Sequence, residues 1–117
     1  MPNVNAGKVL TTTILSGQSL SGAVQIAGLK VLALITPAAM TGGGSFTFQV
    51  SPDGVTYYEL NDAAGNPVTS TAIATSTYYD NQLAGLLGIN YLKVRSGTSG
   101  TPIVQAADRA IGVLVGT

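Results

Sequence analysis

Clusters of glycine, proline, serine, asparagine and aspartate interrupt the sequence at short intervals, and each separates two runs that favour β-strands. The clearest example is a hairpin in which residues 45–50 alternate strictly between apolar and polar side chains and residues 56–60 form the returning strand. Between them Ser51-Pro-Asp-Gly54 supplies a turn, because proline fixes φ and glycine accepts a positive φ. This punctuation is typical of β-sandwiches and barrels.

The same pattern predicts seven to eight short strands along the chain. They cover residues 9–15, 23–26, 29–36, 45–50, 56–60, 72–79, 90–96 and 109–115. Residues 82–88 contain two glycines, which disfavour a stable helix there. We therefore predict an all-β protein, an antiparallel β-sandwich or partly closed barrel with no substantial helix. Residues 9–117 are expected to form a single domain, preceded by a flexible N-terminal arm at residues 1–8.

Charged residues are scarce in this chain. Hydrophobic residues make up 45% of its 117 residues, which excludes an intrinsically disordered chain. Charged residues make up only 9%, against about 25% in typical globular domains, and five basic residues balance five acidic ones. A surface with little charge is weakly repelled by its own copies, so a free monomer is expected to associate. We infer that the protein works inside a larger assembly; the alternative is a neutral soluble domain.

The most apolar predicted strand, residues 29–36, indicates where that association occurs. Its hydrophobic residues fall on both faces, with Leu32 and Leu34 on the second face, which indicates burial on both sides. The outer face of a sandwich is normally wet, so a local loop or a neighbouring subunit is expected to cover Leu32 and Leu34. The polar arm that contains Val4 and Asn5 is expected to be disordered alone and to order on a neighbour. These four residues are the candidate protein interface.

The residue types needed for most catalysis and metal binding are missing. The chain has no histidine and no cysteine, which removes the usual general base, the thiolate nucleophile and the preferred transition-metal ligands. In predicted turns, Asp53 and Asp62 are expected to bond to nearby backbone amides. The loop at residues 61–66 groups oxygen ligands but lacks the EF-hand pattern and its closing glutamate. We therefore predict that the protein is not an enzyme and has no catalytic, cofactor-binding or metal-binding residues.

Nucleic acids and membranes are not expected partners either. The five basic residues are scattered and do not form the patch that neutralises phosphates. The longest uninterrupted apolar run, residues 31–35, is far shorter than the ~20 residues of a transmembrane helix. The N-terminal sequence lacks the charged start, apolar stretch and cleavage site of a signal peptide. We expect the protein to be made and used without secretion.

Outward-facing residues of the predicted strands form a second candidate surface. Aromatic and charged side chains occupy these positions at Tyr57, Glu59, Tyr91, Lys93 and Arg95. If their strands are neighbours, they form a patch of the kind that binds sugars or serves as a protein hot spot. The alternative is a set of cross-strand pairs that stabilise an exposed sheet face. The lack of tryptophan makes the carbohydrate platform the weaker interpretation.

Three stretches of the chain resemble small virion proteins of tailed bacteriophages. They are LSGAVQIAGLKVLALITPAAMTGG, SFTFQVSPDGVTYYELNDAAGNPV and YLKVRSGTSGTPIVQAADRAIGVLV, and the resemblance extends over roughly residues 10–115. It implies a capsid decoration (cement) protein, or another small head or tail component. Decoration proteins sit on the outside of the expanded shell and clamp adjacent capsomers, often as trimers. The hairpin at residues 45–60 also resembles hairpins of discoidin-like carbohydrate-binding sandwiches, over that hairpin alone.

The leading functional hypothesis is therefore a viral structural protein, a decoration protein that stabilises the phage head by binding capsomers. Its expected partners are the major capsid protein or other virion subunits, together with its own copies in a homo-oligomer for which a trimer is favoured. Its expected location is the surface of the phage head, after assembly in the host cytoplasm. The alternative hypothesis is a carbohydrate- or host-surface-binding β-sandwich module, which includes a tail or fibre component of a virion.

Overall fold

The computed structural model describes residues 8–26, 29–42, 44–69, 73, 75–80 and 89–116, and of residues 30, 32 and 78–80 the main chain alone. The described residues form eight strands and no helix. The strands are β1 (Lys8–Ile14), β2 (Val24–Gln25), β3 (Lys30–Ile35), β4 (Phe46–Ser51), β5 (Tyr58–Glu59), β6 (Tyr78–Asp80), β7 (Tyr91–Ser96) and β8 (Arg109–Gly116). The prediction of an all-β protein is confirmed.

The strands form two sheets that pack face to face. The first sheet has the order β1-β8-β3-β6 and the second has the order β2-β7-β4-β5. All neighbouring strands are antiparallel. One cluster of buried hydrophobic residues draws on both sheets. The fold is therefore a β-sandwich and not a closed barrel.

Alternating side chains on the central strands build the core between the sheets. On β8, every second residue from Ile111 to Val115 is fully buried, and on β7 the same holds for Leu92 and Val94. Phe46, on β4, belongs to the same core and is also fully buried. Because each such side chain contributes about 1.5–3 kcal/mol on burial, this layer dominates the stability of the domain.

Strand β3 departs from the alternation that its sequence predicts. Its register against β8 shifts between Val31 and Ala33, so that Val31 lies opposite Val115 and Leu34 lies opposite Val113. A bulge of this kind adds one residue and reverses the face of everything after it. Leu34 therefore belongs to the core and is only 4% exposed. The expectation that Leu34 lies on the outer face and needs a cover is wrong.

The candidate protein interface includes three further residues. The side chain of Leu32 lies outside the described residues, as do Val4 and Asn5. Lys8, which the sequence assigned to the N-terminal arm, is the first residue of β1.

A buried amide holds together one end of the sandwich. The Gln105 side chain is fully buried in the connection between β7 and β8. Its Oε1 accepts hydrogen bonds from the Thr41 main-chain N–H (2.8 Å) and from Arg109 Nε (3.2 Å), and its Nε2 donates to the Thr41 carbonyl (3.0 Å). Gln105 thereby fixes the loop after β3 against the start of β8. Sequence reasoning missed this residue.

Candidate interaction surfaces

The outer face of the second sheet carries most of the polar residues that the sequence singled out. The register places Thr47 opposite Arg95, and Gln49 opposite both Lys93 and Glu59. We call this surface the polar face; its residues are Thr47, Gln49, Tyr57, Glu59, Tyr91, Lys93 and Arg95. The structure thus brings all five residues of the candidate surface patch onto one side of the sandwich.

An ion pair occupies the centre of the polar face. The Arg95 guanidinium donates two hydrogen bonds to the Glu59 carboxylate, each 2.7 Å long, and a longer one of 3.3 Å to Thr47 Oγ1. Gln49 Nε2 adds a third donor to the carboxylate at 2.7 Å. The hydrogen bonds from Arg95 hold the pKa of Glu59 below its usual value. Arg95 is only 6% exposed, so its charge depends on these partners.

Each of the two aromatic rings of the patch contacts another residue of the same chain. Lys93 Nζ lies 4.2 Å from the centroid of the Tyr57 ring, a cation–π contact. The Tyr91 ring packs on Gly54, where a Cβ atom would lie 2.9 Å from the ring carbon Cζ. Gly54 also has a φ of +79°, so the turn requires glycine for both reasons.

These contacts explain what the polar face does within the fold. Arg95 and Glu59 pair with each other across strands, and the rings of Tyr57 and Tyr91 are in contact with Lys93 and Gly54. Such cross-strand pairs stabilise a sheet whose outer side faces water. A role in sugar or host-surface binding stays a prediction.

The outer face of the first sheet has the opposite character. On β1 and β8, every second residue points away from the core, as the burial pattern of the two strands shows. After the bulge, Ala33 and Ile35 of β3 point the same way, although Ala33 is only 1% exposed. We call this surface the apolar face; its described side chains are Val9, Thr11, Thr13, Ala33, Ile35, Ala110, Gly112 and Leu114. None of these eight residues is charged or aromatic.

A glycine at the centre makes the apolar face continuous. A Cβ atom at Gly112 would lie 3.2 Å from Ile35 Cβ and 3.3 Å from Val9 Cγ1. The side chains of β1 and β3 therefore approach each other above β8, and Val9 is still 51% exposed. At the far edge, Asp80 of β6 is in register with Ala33. At the other end of β3, Lys30 is in register with Gly116. The charge-free area thus lies on β1, β8 and the part of β3 after the bulge.

The apolar face was not identified from the sequence, although a signal for it exists. The outward positions of β1 and β8 are all small, hydroxyl-bearing or aliphatic, whereas those of β7 include two cations. Comparing the outward residues of all predicted strands would have separated the two faces.

The acidic residues of the turns contact the main chain of those turns. Asp62 Oδ1 accepts hydrogen bonds from the N–H groups of Ala64 (2.9 Å) and Asn66 (3.0 Å). Asp53 Oδ1 accepts from Val55 (2.8 Å) and Thr56 (3.0 Å), and these bonds lower the pKa of Asp53. Within the described part of the chain, no group of three acidic, histidine or cysteine residues is placed to hold a metal ion.

Comparison with known protein families, with curated proteins and with solved structures finds no match for this chain. In the described ranges, the fold contains no helix of the length and hydropathy that crossing a membrane requires.

Proposed function

We propose that this chain is a structural protein of a virus particle, a decoration protein that binds capsomers on the head of a tailed phage and stabilises the shell. The observation that carries the proposal is the apolar face. This face lies on the three longest strands of the first sheet, where the described outward side chains carry no charge. The resemblance of the sequence to small virion proteins supplies the kind of assembly.

The apolar face suits a permanent contact with a protein surface for a physical reason. Burying a charged group removes it from water at a cost of several kcal/mol, which a partner must offset with well-placed counter-charges. Val9, Ile35 and Leu114 carry no such cost, and their burial contributes roughly 25 cal/mol per Å². The threonines between them keep a hydroxyl for hydrogen bonds at the rim of the contact.

The polar face suits the side that stays in water. Its ion pair and its cation–π contact are completed within the chain. A copy bound through the apolar face would expose the polar face to solvent. The polar face needs no partner there, because its charged groups already have partners within the chain. Contacts through the apolar face add up when many linked copies bind one shell, because a copy held by its neighbours rebinds at a high effective concentration.

Partners and location follow from the same proposal. The chain binds the major capsid protein or another virion subunit and forms a homo-oligomer, without a nucleic-acid or membrane partner. It acts at the surface of the phage head after assembly in the host cytoplasm. The mechanism is mechanical and involves no reaction.

The proposal is tested by adding full-length protein to particles from a strain whose gene for this chain is deleted. We expect wild-type protein to sediment with the particles and to delay their disruption by heat. Leu114→Glu and Ile35→Glu place a charge on the apolar face and should weaken binding at least about tenfold. Val55→Glu is the matched control, since Val55 is 81% exposed in the turn of the other sheet. Wild-type protein that does not sediment with the particles would refute the proposal.

A further inference from the structure

The four sheet edges of the sandwich differ in length. Among the described strands, β6 at one edge of the first sheet has three residues, and β2 and β5 at the edges of the second sheet have two each. The fourth edge is β1, which has seven residues. Short edge strands are one of the means by which proteins prevent unwanted strand pairing. The β1 edge lacks this protection.

The direction of the free main-chain groups on β1 follows from one hydrogen bond. The Thr13 carbonyl accepts a hydrogen bond from Gly22 N at 3.3 Å, so the main-chain N–H and C=O groups of Thr13 point away from β8. Because successive residues of a strand direct these groups to opposite sides, Val9 and Thr11 point the same way as Thr13. Among the described residues, no other segment bonds to the main chain of Val9 or Thr11 on that side.

The open edge also lacks other devices that block pairing. Residues 8–12 contain no proline, and the register against β8 runs without a bulge from Lys8 to Ile14. The one charged residue among residues 8–12 is Lys8, which lies at the start of β1. The outward side chains of Val9 and Thr11 are β-branched and exposed, which favours a further strand beside them.

We propose that β1 pairs with β1 of a second copy of this chain, antiparallel and about a twofold axis at Leu10. In this register Val9 of each copy lies opposite Thr11 of the other. Both residues direct their main-chain groups to the shared edge, so each such pair exchanges two hydrogen bonds. Gly22 limits the paired stretch at Thr13 and remains in place.

A second copy fits this edge because the register is self-complementary. Uncharged Val–Thr pairs on one side are favourable cross-strand neighbours. On the other side, Leu10 meets Leu10 of the second copy and extends the core, against which it already packs. The two Lys8 residues are four residues apart along the strands, roughly 14 Å. This distance exceeds the Debye length of about 8 Å at physiological ionic strength, so their repulsion is screened.

Pairing has a consequence for the apolar face. The two first sheets join into one continuous sheet, and their apolar faces become one surface with Val9 and Thr11 at its centre. The result is a dimer, in contrast to the trimer that the resemblance implies. The inference depends on the edge strand alone and holds whether or not the chain belongs to a virion.

Sedimentation of the full-length chain over a concentration series tests the proposal. We expect a species of twice the chain mass of 11.8 kDa at micromolar concentration. Val9→Lys should raise the dissociation constant at least about tenfold, because lysine on an edge opposes pairing. Val104→Lys is the matched control, since Val104 is 54% exposed and lies outside the strands. Thr11→Pro removes an edge-facing N–H and should give a folded monomer.

Three outcomes of this experiment would overturn the proposal. They are a wild-type chain that stays monomeric at 100 µM (an order-of-magnitude limit for weak complexes), a trimer, and a dimer that Val9→Lys and Thr11→Pro leave intact. Circular dichroism of each variant separates loss of pairing from loss of folding.

A single introduced cysteine tests the register, because the natural chain has none. Opposed residues at the twofold axis form a pair with Cα atoms about 4.5 Å apart, within the range that a disulfide spans. Leu10→Cys should therefore form covalent dimers under mild oxidation. Val9→Cys should not, since two Val9 residues lie beyond the ~7 Å limit. Equal cross-linking of both variants, or of neither, would contradict this register.

Discussion

The outer faces of the two sheets differ in what their side chains contact. On the polar face, Arg95, Glu59, Gln49, Lys93 and Tyr57 all have partners within the chain. On the apolar face, the described side chains include no ion pair, and Val9 leaves half of its surface in water. The comparison indicates that the first set of residues maintains the fold and that the exposed members of the second, such as Val9 and Thr11, are free to meet a partner.

The largest effect is expected for Arg95→Met on the polar face. The substitution keeps most of the buried side-chain volume but leaves the Glu59 carboxylate without its main donor. We expect a loss of about 2 kcal/mol in the free energy of unfolding, below the value for a fully buried pair because Glu59 is partly hydrated. Urea denaturation measures it.

Lys93→Met is the matched control on the same strand and the same face. Lys93 contributes an exposed cation–π contact, so its loss should cost less than about 1 kcal/mol. If the two variants lose equal stability, the ion pair has no special role in the fold.

Acid should weaken the same ion pair. Arg95 lowers the pKa of Glu59 below 4.5, so the pair stabilises the folded state at higher pH. That contribution is lost as the pH falls from about 4.5 through the folded-state pKa. We expect Glu59→Gln to lose about 1 kcal/mol relative to wild type at pH 6 and less at pH 3. Urea midpoints at the two pH values measure the difference, and an unchanged gap at pH 3 would contradict the assignment.

Tyr57→Ala separates the structural role of the polar face from a binding role. Loss of the Lys93–Tyr57 contact should cost about 0.5–1 kcal/mol. On a glycan array, we expect no reproducible binding by either the wild type or the variant. Binding by the wild type that Tyr57→Ala or Tyr91→Ala abolishes would favour the carbohydrate-binding alternative.

Val9→Thr on the apolar face should have the smallest effect. Threonine keeps the β-branched shape, and Val9 is half exposed, so the free energy of unfolding should change by less than about 0.5 kcal/mol. Thermal unfolding detects a larger change. A loss above about 1 kcal/mol would show that the apolar face, like the polar face, maintains the fold.

The sequence predicts those parts of the fold that depend on local alternation. The turn at Ser51–Gly54 and the inward residues of β7 and β8, such as Val94 and Val113, are found where the pattern places them. The returning strand of the hairpin is shorter than predicted and covers only Tyr58–Glu59. Leu34 was predicted to lie on the wrong face. A bulge before it reverses the alternation, and no residue type in the strand indicates that bulge.

The parts that the sequence does not predict depend on distant partners. Gln105 looks like a surface residue until its partner Thr41 is known, and 64 residues separate them. The apolar face likewise needs Val9, Gly112 and Ile35 to meet across three strands. Only the register between those strands provides that contact.

The orientation of the chain on its particle tests the contrast between the two faces most directly. Cryo-electron microscopy of purified particles would show both whether the chain is present and which face touches the shell. We expect density for the chain with Ile35 and Leu114 against capsomers and with Arg95 and Glu59 toward solvent. Absence of the chain from the particles, or contact through the polar face, would contradict the proposed function.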